Sequence, residues 1–323
     1  MLEKLPPLWG KSYWWTRSGA LLGLASLLLG TVMTKLVADH LGSCGLQNQL
    51  TSPTLAIEVA ASWGDVLEIV GPCQAPHCLQ SGGQTVVYQG TSATVCPDKI
   101  ESLSFEQTMD YVFIAVYWLF FLYLGFINWL FCRWERFGVV TEIIGKISGV
   151  ATVVAATYGA VADWRENGRI LQALGNLHSM VGLVPGMRDL AYTKWRLLFL
   201  AIGLAAPVFV FWTGKSNNAD MRRSAFSQTL AWSTALLAVS TAWNGVAASQ
   251  YGDDHRLQLA GMRLGYVIVS ATLTLATAQY WRGGTMAALD KLAKLPVLAF
   301  FTTLFSTDEA ESQMTDTDPS HML

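Results

Sequence analysis

Apolar and polar stretches alternate along the chain on the scale of a bilayer rather than of a strand or an ordinary helix. Apolar runs cover residues 18–37, 110–131, 139–162, 195–213, 226–248 and 262–281. Each is close to the ~20 residues that a helix needs to cross about 30 Å of hydrocarbon. In lipid a single segment must satisfy its own backbone hydrogen bonds, and a helix does so. The pattern therefore predicts an all-α integral membrane protein with six transmembrane helices. Pro207 falls inside the fourth run and predicts a kink of the kind that bilayers tolerate. The last apolar stretch, Leu295 to Phe305, is too short to span. Taken with the residues before it, 284–305 reads as an interfacial amphipathic helix, followed by a disordered acidic tail over 306–323. At the other end, residues 1–17 combine Lys4, Lys11 and Arg17 with Trp9, Tyr13, Trp14 and Trp15, an amphipathic lead into a signal-anchor. A cleavable signal peptide is the rival, and Leu36-Val37-Ala38 is a poor small-x-small cleavage site.

Residues 38–109 are a different material, polar and glycine-containing, and hold Cys44, Cys73, Cys78 and Cys96. Their length between two spans predicts a small domain outside the membrane. Four cysteines there predict two disulfides in an oxidising compartment, with three connectivities open. A domain of this size needs such staples. His40 and His77 lie near the cysteines, but Cys73-x4-Cys78 followed by Cys96 matches no zinc-finger spacing. Within the domain, 54–70 has helical periodicity and 84–95 reads as strand. Cys132 lies at the opposite membrane face and is expected as a reduced, buried thiol.

Composition agrees with the pattern: the chain is 52% hydrophobic and 14% charged, well below the ~25% charged residues of soluble domains. Its 13 tryptophans suit the aromatic belts of a bilayer, the first partner the sequence implies. A net charge of -2 gives no reason to expect nucleic acid. No Walker loop, dinucleotide fingerprint, HExxH or GxSxG occurs, so neither a cofactor nor a catalytic residue is assigned. With six spans, the N-terminus, Arg133/Arg136, Lys215/Arg222/Arg223 and Arg282/Lys291/Lys294 share one side, which predicts that both termini are cytoplasmic. The cysteine domain then lies outside, in agreement with the disulfide argument.

The candidate chemistry sits where the third span ends. Asp163, Glu166 and Asn167 stand at i, i+3 and i+4, on one helix face. Below them Gly145, Gly149, Thr152, Ala156 and Gly159 form a seam of small residues, along which another helix can approach closely. At the start of the second span Glu106 and Asp110 are one turn apart, and Asp110 and Tyr117 share a face.

Ile57-Glu58-Val59-Ala60, Asp110-Tyr111-x-Phe113-x3-Tyr117 and Asp163-x2-Glu166-Asn167 occur in the order and spacing of a class of uncharacterised multi-pass bacterial membrane proteins, which residues 54–175 resemble. That class carries a Phe-Glu-Leu-Ala-like segment, a helix opening Asp-x2-Phe-x3-Tyr and a helix closing Asp-x2-Glu-Asn. This chain departs from it at Ile57, Val59 and Trp164, and by the cysteine-bearing insertion after Val70. The resemblance implies that Glu58, Asp110, Tyr117, Asp163, Glu166 and Asn167 form one constellation, in a bacterial inner membrane.

Three functions follow as expectations. The first is a binding or assembly protein whose outer domain docks on the acidic cluster of the second and third spans, with Arg165 or Arg169 pairing with Asp110 or Glu106. Its partner would be another membrane or extracytoplasmic protein. The alternative is binding or transport of a cation or polar small molecule, since clustered carboxylates suit hard ions, with the metal itself unassigned. A lipid-headgroup enzyme comes third, because no nucleophile-base pair is identifiable.

Overall fold

The computed structural model describes residues 12–41, 50, 53–71, 84–88, 91–131, 138–177, 183–211 and 225–277. The first long helix is α1 (Ser12–Leu41), followed by two short ones, α2 (Pro53–Glu58) and α3 (Trp63–Val70). A hairpin of β1 (Gln84–Tyr88) and β2 (Thr91–Val95) follows. The chain then forms five long helices: α4 (Pro97–Phe131), α5 (Gly138–Gly175), α6 (Val184–Phe211), α7 (Ala225–Tyr251) and α8 (Asp254–Thr277). Successive long helices pack side by side from α4 to α8, and α1 lies against both α4 and α8. The long helices therefore close into a bundle.

Among the described residues, three helices are long and apolar enough to cross a membrane: Pro97–Trp129, Val139–Gly175 and Val184–Val210. The apolar part of α1, Ser18–Met33, is shorter. Helices α7 and α8 have 27 and 24 residues, but Ser, Thr, Asn, Gln and Arg are spread through them. Their Thr234 and Thr274 hydroxyls meet at 3.0 Å, one way such residues are satisfied inside a bundle. On α5 the apolar residues Val139, Ile143, Ile147, Val150 and Val154 are exposed, as expected of a face turned to lipid.

The helices also begin and end elsewhere than the apolar runs do. α4 starts at Pro97, not near residue 110; α5 continues to Gly175, past residue 162; and α6 starts at Val184, ahead of residue 195. Hydropathy marks only the part of a helix that lies in lipid, whereas the backbone ladder continues through polar residues. Residues 165–194, expected as a connection that includes a helical extension to Leu174, are helical to Gly175 and again from Val184. The acidic group lies inside the helices rather than at their ends.

Local rules explain the small elements. Ser62 and Asp65 form a reciprocal cap at the start of α3, with Asp65 Oδ2 accepting from the Ser62 amide at 3.0 Å. At the other end of α3 the buried Lys99 ammonium donates to the Gly71 carbonyl at 2.8 Å. The stretch expected as one strand is a two-stranded antiparallel hairpin, with Tyr88 opposite Thr91. Between α7 and α8, Gly252 adopts φ 67, a left-handed turn that glycine enters at little cost. Of the five cysteines, Cys96 is buried and engaged, while Cys44, Cys73, Cys78 and Cys132 lie outside the described residues. So do the lead up to residue 11, the interfacial helix expected over 284–305 and the acidic tail.

The small-residue seam is a real crossing. A Cβ on Gly149 would come within 2.5 Å of the Gly125 carbonyl, so α4 and α5 touch backbone to backbone there. Thr152 and Ala156 are buried above it, and Gly159 faces Leu197 and Leu198 of α6. The core of the bundle is built from Phe120, Phe121, Leu124, Ile127, Phe199 and Phe209, all at most 2% exposed.

Candidate functional site

The polar cluster forms where α2 meets α4, α5 and α6. At its centre is Lys194, three turns into α6 and 3% exposed. Its Nζ lies 2.9 Å from Glu58 Oε2, 3.2 Å from Asp163 Oδ1 and 2.8 Å from Glu166 Oε2. Three carboxylates, one from α2 and two from α5, surround one ammonium. The Asp163 and Glu166 contacts are ionic rather than directional, since neither oxygen meets hydrogen-bond geometry. Glu58 is held a second time, by the indole N–H of Trp195 at 3.0 Å. Asp163 is held by Tyr117 of α4, whose hydroxyl donates to Oδ2 at 2.6 Å. The indole of Trp195 also lies beneath the ammonium, 5.3 Å from ring centre to Nζ.

A second layer lies next to this cage. Asn167 Nδ2 donates to Asp110 Oδ2 at 2.6 Å, and the Thr54 hydroxyl of α2 donates to Glu106 Oε1 at 2.6 Å. Glu106, Gln107, Glu166 and Asn167 are all buried, and the remaining oxygens Glu106 Oε2, Gln107 Oε1, Glu166 Oε1 and Asn167 Oδ1 have no hydrogen-bond partner. Beside the cluster Tyr111 packs on Trp164 with centroids 4.4 Å apart, an aromatic pair of the kind found where a bundle leaves lipid.

A separate network joins α6 to the α7–α8 turn. Tyr192 donates to Asp254 Oδ1 in a short hydrogen bond and accepts from Arg188 Nη2 at 2.9 Å. Between α4 and α5, toward the other end of the bundle, an open groove of 460 Å³ is lined by Leu122, Phe126, Trp129, Val150 and other apolar groups.

The structure brings together Glu58, Tyr117, Asp163 and Glu166 through Lys194, and joins Asp110 to Asn167 alongside. The cation expected for the cluster is Arg165 or Arg169; the ion pairing instead falls on Lys194, while Arg165 is exposed and Arg169 lies against Gly186 of α6. Arg165 is near the acids in sequence but on the opposite face of α5, and Arg169 is drawn to Gly186. Lys194 stands just ahead of an apolar run, where hydropathy gives no sign of a helix. The available signal is charge balance: four carboxylates near one level of a bundle need a cation, and Lys194 stands on α6, which packs on both α4 and α5. Trp195, Thr54 and Gln107 carried no such signal.

Among the described residues, no three His, Cys, Asp or Glu side chains are arranged to hold a metal ion. The cage agrees with that, since its centre is taken by a tethered ammonium. Comparison with protein-family models, curated proteins and solved structures finds no match for the chain.

Proposed function

We propose that this chain is a multi-pass membrane protein of binding or assembly, whose segment between the first two spans is carried on the bundle by the Lys194 cage. The observation that supports it most is Glu58 Oε2, which meets both Lys194 Nζ at 2.9 Å and Trp195 Nε1 at 3.0 Å. A buried carboxylate held by two donors of α6 fixes α2 in place, and Thr54 adds a bond to α4. In such a cage the lysine stands where a diffusible cation would otherwise sit, so the carboxylates act as a lock. Burying charges this way adds little net stability over apolar packing but specifies one arrangement, which suits a segment that must be presented rigidly.

In this reading all six long helices span, both termini are cytoplasmic, and the α2–β2 segment faces outward in a bacterial inner membrane. The Lys and Arg distribution supports that orientation. The buried, engaged Cys96 supports a disulfide framework with Cys44, Cys73 and Cys78. The partner is another membrane or extracytoplasmic protein. A photo-crosslinking residue placed in turn at the exposed Ala61, Ser62 and Gly64 tests this in native membranes. A discrete protein adduct that disappears in the Glu58→Gln background is expected. Adducts to lipid alone at all three positions would remove the assembly role.

A further inference from the structure

We propose that Glu166 is a proton-binding site, the member of the Lys194 cage that carries its hydrogen at neutral pH. This rests on the geometry of the cage and not on the assembly reading, so either can fail alone. The Lys194 ammonium brings one positive charge to the Glu58, Asp163 and Glu166 carboxylates, all within 3.2 Å of Nζ and none more than 7% exposed. Among the described residues no second Lys, Arg or His forms an ion pair with any of the three. Three ionised carboxylates would therefore leave the cage with two uncompensated negative charges, and Asp110, on which the same ammonium acts, adds to that excess. A carboxyl group shut away from water under such conditions takes up a proton rather than keep its charge.

The hydrogen bonds identify which carboxyl takes it. Glu58 Oε2 meets the Trp195 indole N–H at 3.0 Å as well as Lys194, and Asp163 Oδ2 accepts from the Tyr117 hydroxyl at 2.6 Å as its Oδ1 faces Lys194. Donors of this kind hold both groups as anions. Glu166 is 0% exposed and neither of its oxygens accepts a hydrogen bond. Its Oε2 lies 2.8 Å from Nζ, which aims the carboxyl into the cage, while Oε1 has no partner. As an anion it would have given up its water for a share of one ammonium. As a neutral acid it loses far less on burial and still turns an oxygen to Lys194. The charged and titratable groups around it are Glu58 of α2, Tyr117 of α4, Asp163 of α5 and Lys194 of α6, with Asp110 of α4 acting on the last two. Of these only Lys194 is a cation.

The experiment compares the full-length protein in detergent with Glu166→Gln, in which a neutral amide replaces the neutral acid. Infrared spectroscopy of the wild-type protein at neutral pH is expected to show the C=O band of a protonated carboxyl group, diminished in Glu166→Gln. Unfolding equilibria measured against pH supply the second readout. In the unfolded chain Glu166 is ionised above about pH 4.3. The folded protein then binds one proton more, so its advantage is whole below that pH and is lost as the pH rises toward release of the proton. The folding equilibrium constant accordingly falls by up to about tenfold per pH unit, and Glu166→Gln is expected to fold as well as wild type near neutral pH without that part of the slope. Absence of any protonated-carboxyl band from the wild-type protein overturns the proposal, whatever the folding of the variant. So does a band that Glu166→Gln leaves undiminished, or a variant that is less stable than wild type at every pH and keeps its full slope, the behaviour of an ionised Glu166.

Discussion

Two polar clusters tie the same three helices, α4, α5 and α6, at opposite ends of the bundle, and they do so by different means. Toward one end Asn128, fully buried, donates to Ser148 Oγ at 3.3 Å and to the Leu204 and Ala205 carbonyls at 3.4 Å. Ser148 in turn donates to Leu204 in a short hydrogen bond. Pro207 lies just beyond these carbonyls and removes one ladder bond from the same stretch of α6. This knot is neutral, and the Gly125–Gly149 contact beside it brings the backbones close enough for short side chains to reach. At the other end the tie is ionic and needs α2 as well.

The contrast shows what each kind of tie can do. A neutral donor among carbonyls is satisfied wherever helices pack closely, so the knot needs only the three helices. A buried ammonium is stable only when its carboxylates are all in place. Closing the cage therefore couples the segment between α1 and α4 to the bundle, and the knot does not.

Removing the charge at the centre of the cage should have the largest effect. Lys194→Met leaves three buried carboxylates without their cation, and a loss of about 3–5 kcal/mol is expected from denaturation in detergent. A loss no greater than that of an Asn128 variant would mean that charge does not hold the cage. The neutral knot should be softer: a double-mutant cycle of Asn128→Ala and Ser148→Ala is expected to give a coupling of about 0.6 kcal/mol, and at most about 1.7. The smallest change sharpens the comparison from outside. Lys146 and Glu142 pair at 2.8 Å on an exposed face of α5, 46% and 40% accessible. Glu142→Gln should shift stability by no more than about 0.5 kcal/mol, showing that proximity of charges matters only where water is excluded.

The periodic features of this protein were legible in its amino-acid order. The apolar runs locate the long helices, and i, i+3, i+4 spacing puts Asp163, Glu166 and Asn167 on one buried face, because helical geometry is local and needs no partner. The seam of Gly149, Thr152, Ala156 and Gly159 is likewise readable, since small residues at helical spacing leave room for a neighbour. Hydropathy misjudged the helix ends, because it senses lipid whereas hydrogen bonding continues past it, from Pro97 in α4 and to Gly175 in α5. What only the tertiary structure decided is which cation the acids receive. Arg165 and Arg169 are a few residues from them along the chain, yet the helix turns Arg165 away and Arg169 lies against Gly186 of α6. Lys194 is far along the chain, but the antiparallel packing of α6 on α5 brings its ammonium within 3.2 Å of Asp163. Glu58, further still in sequence, reaches the same point. Spacing sets which side chains share a face, while charge pairing depends on distance through space, and that distance exists only once the helices have packed.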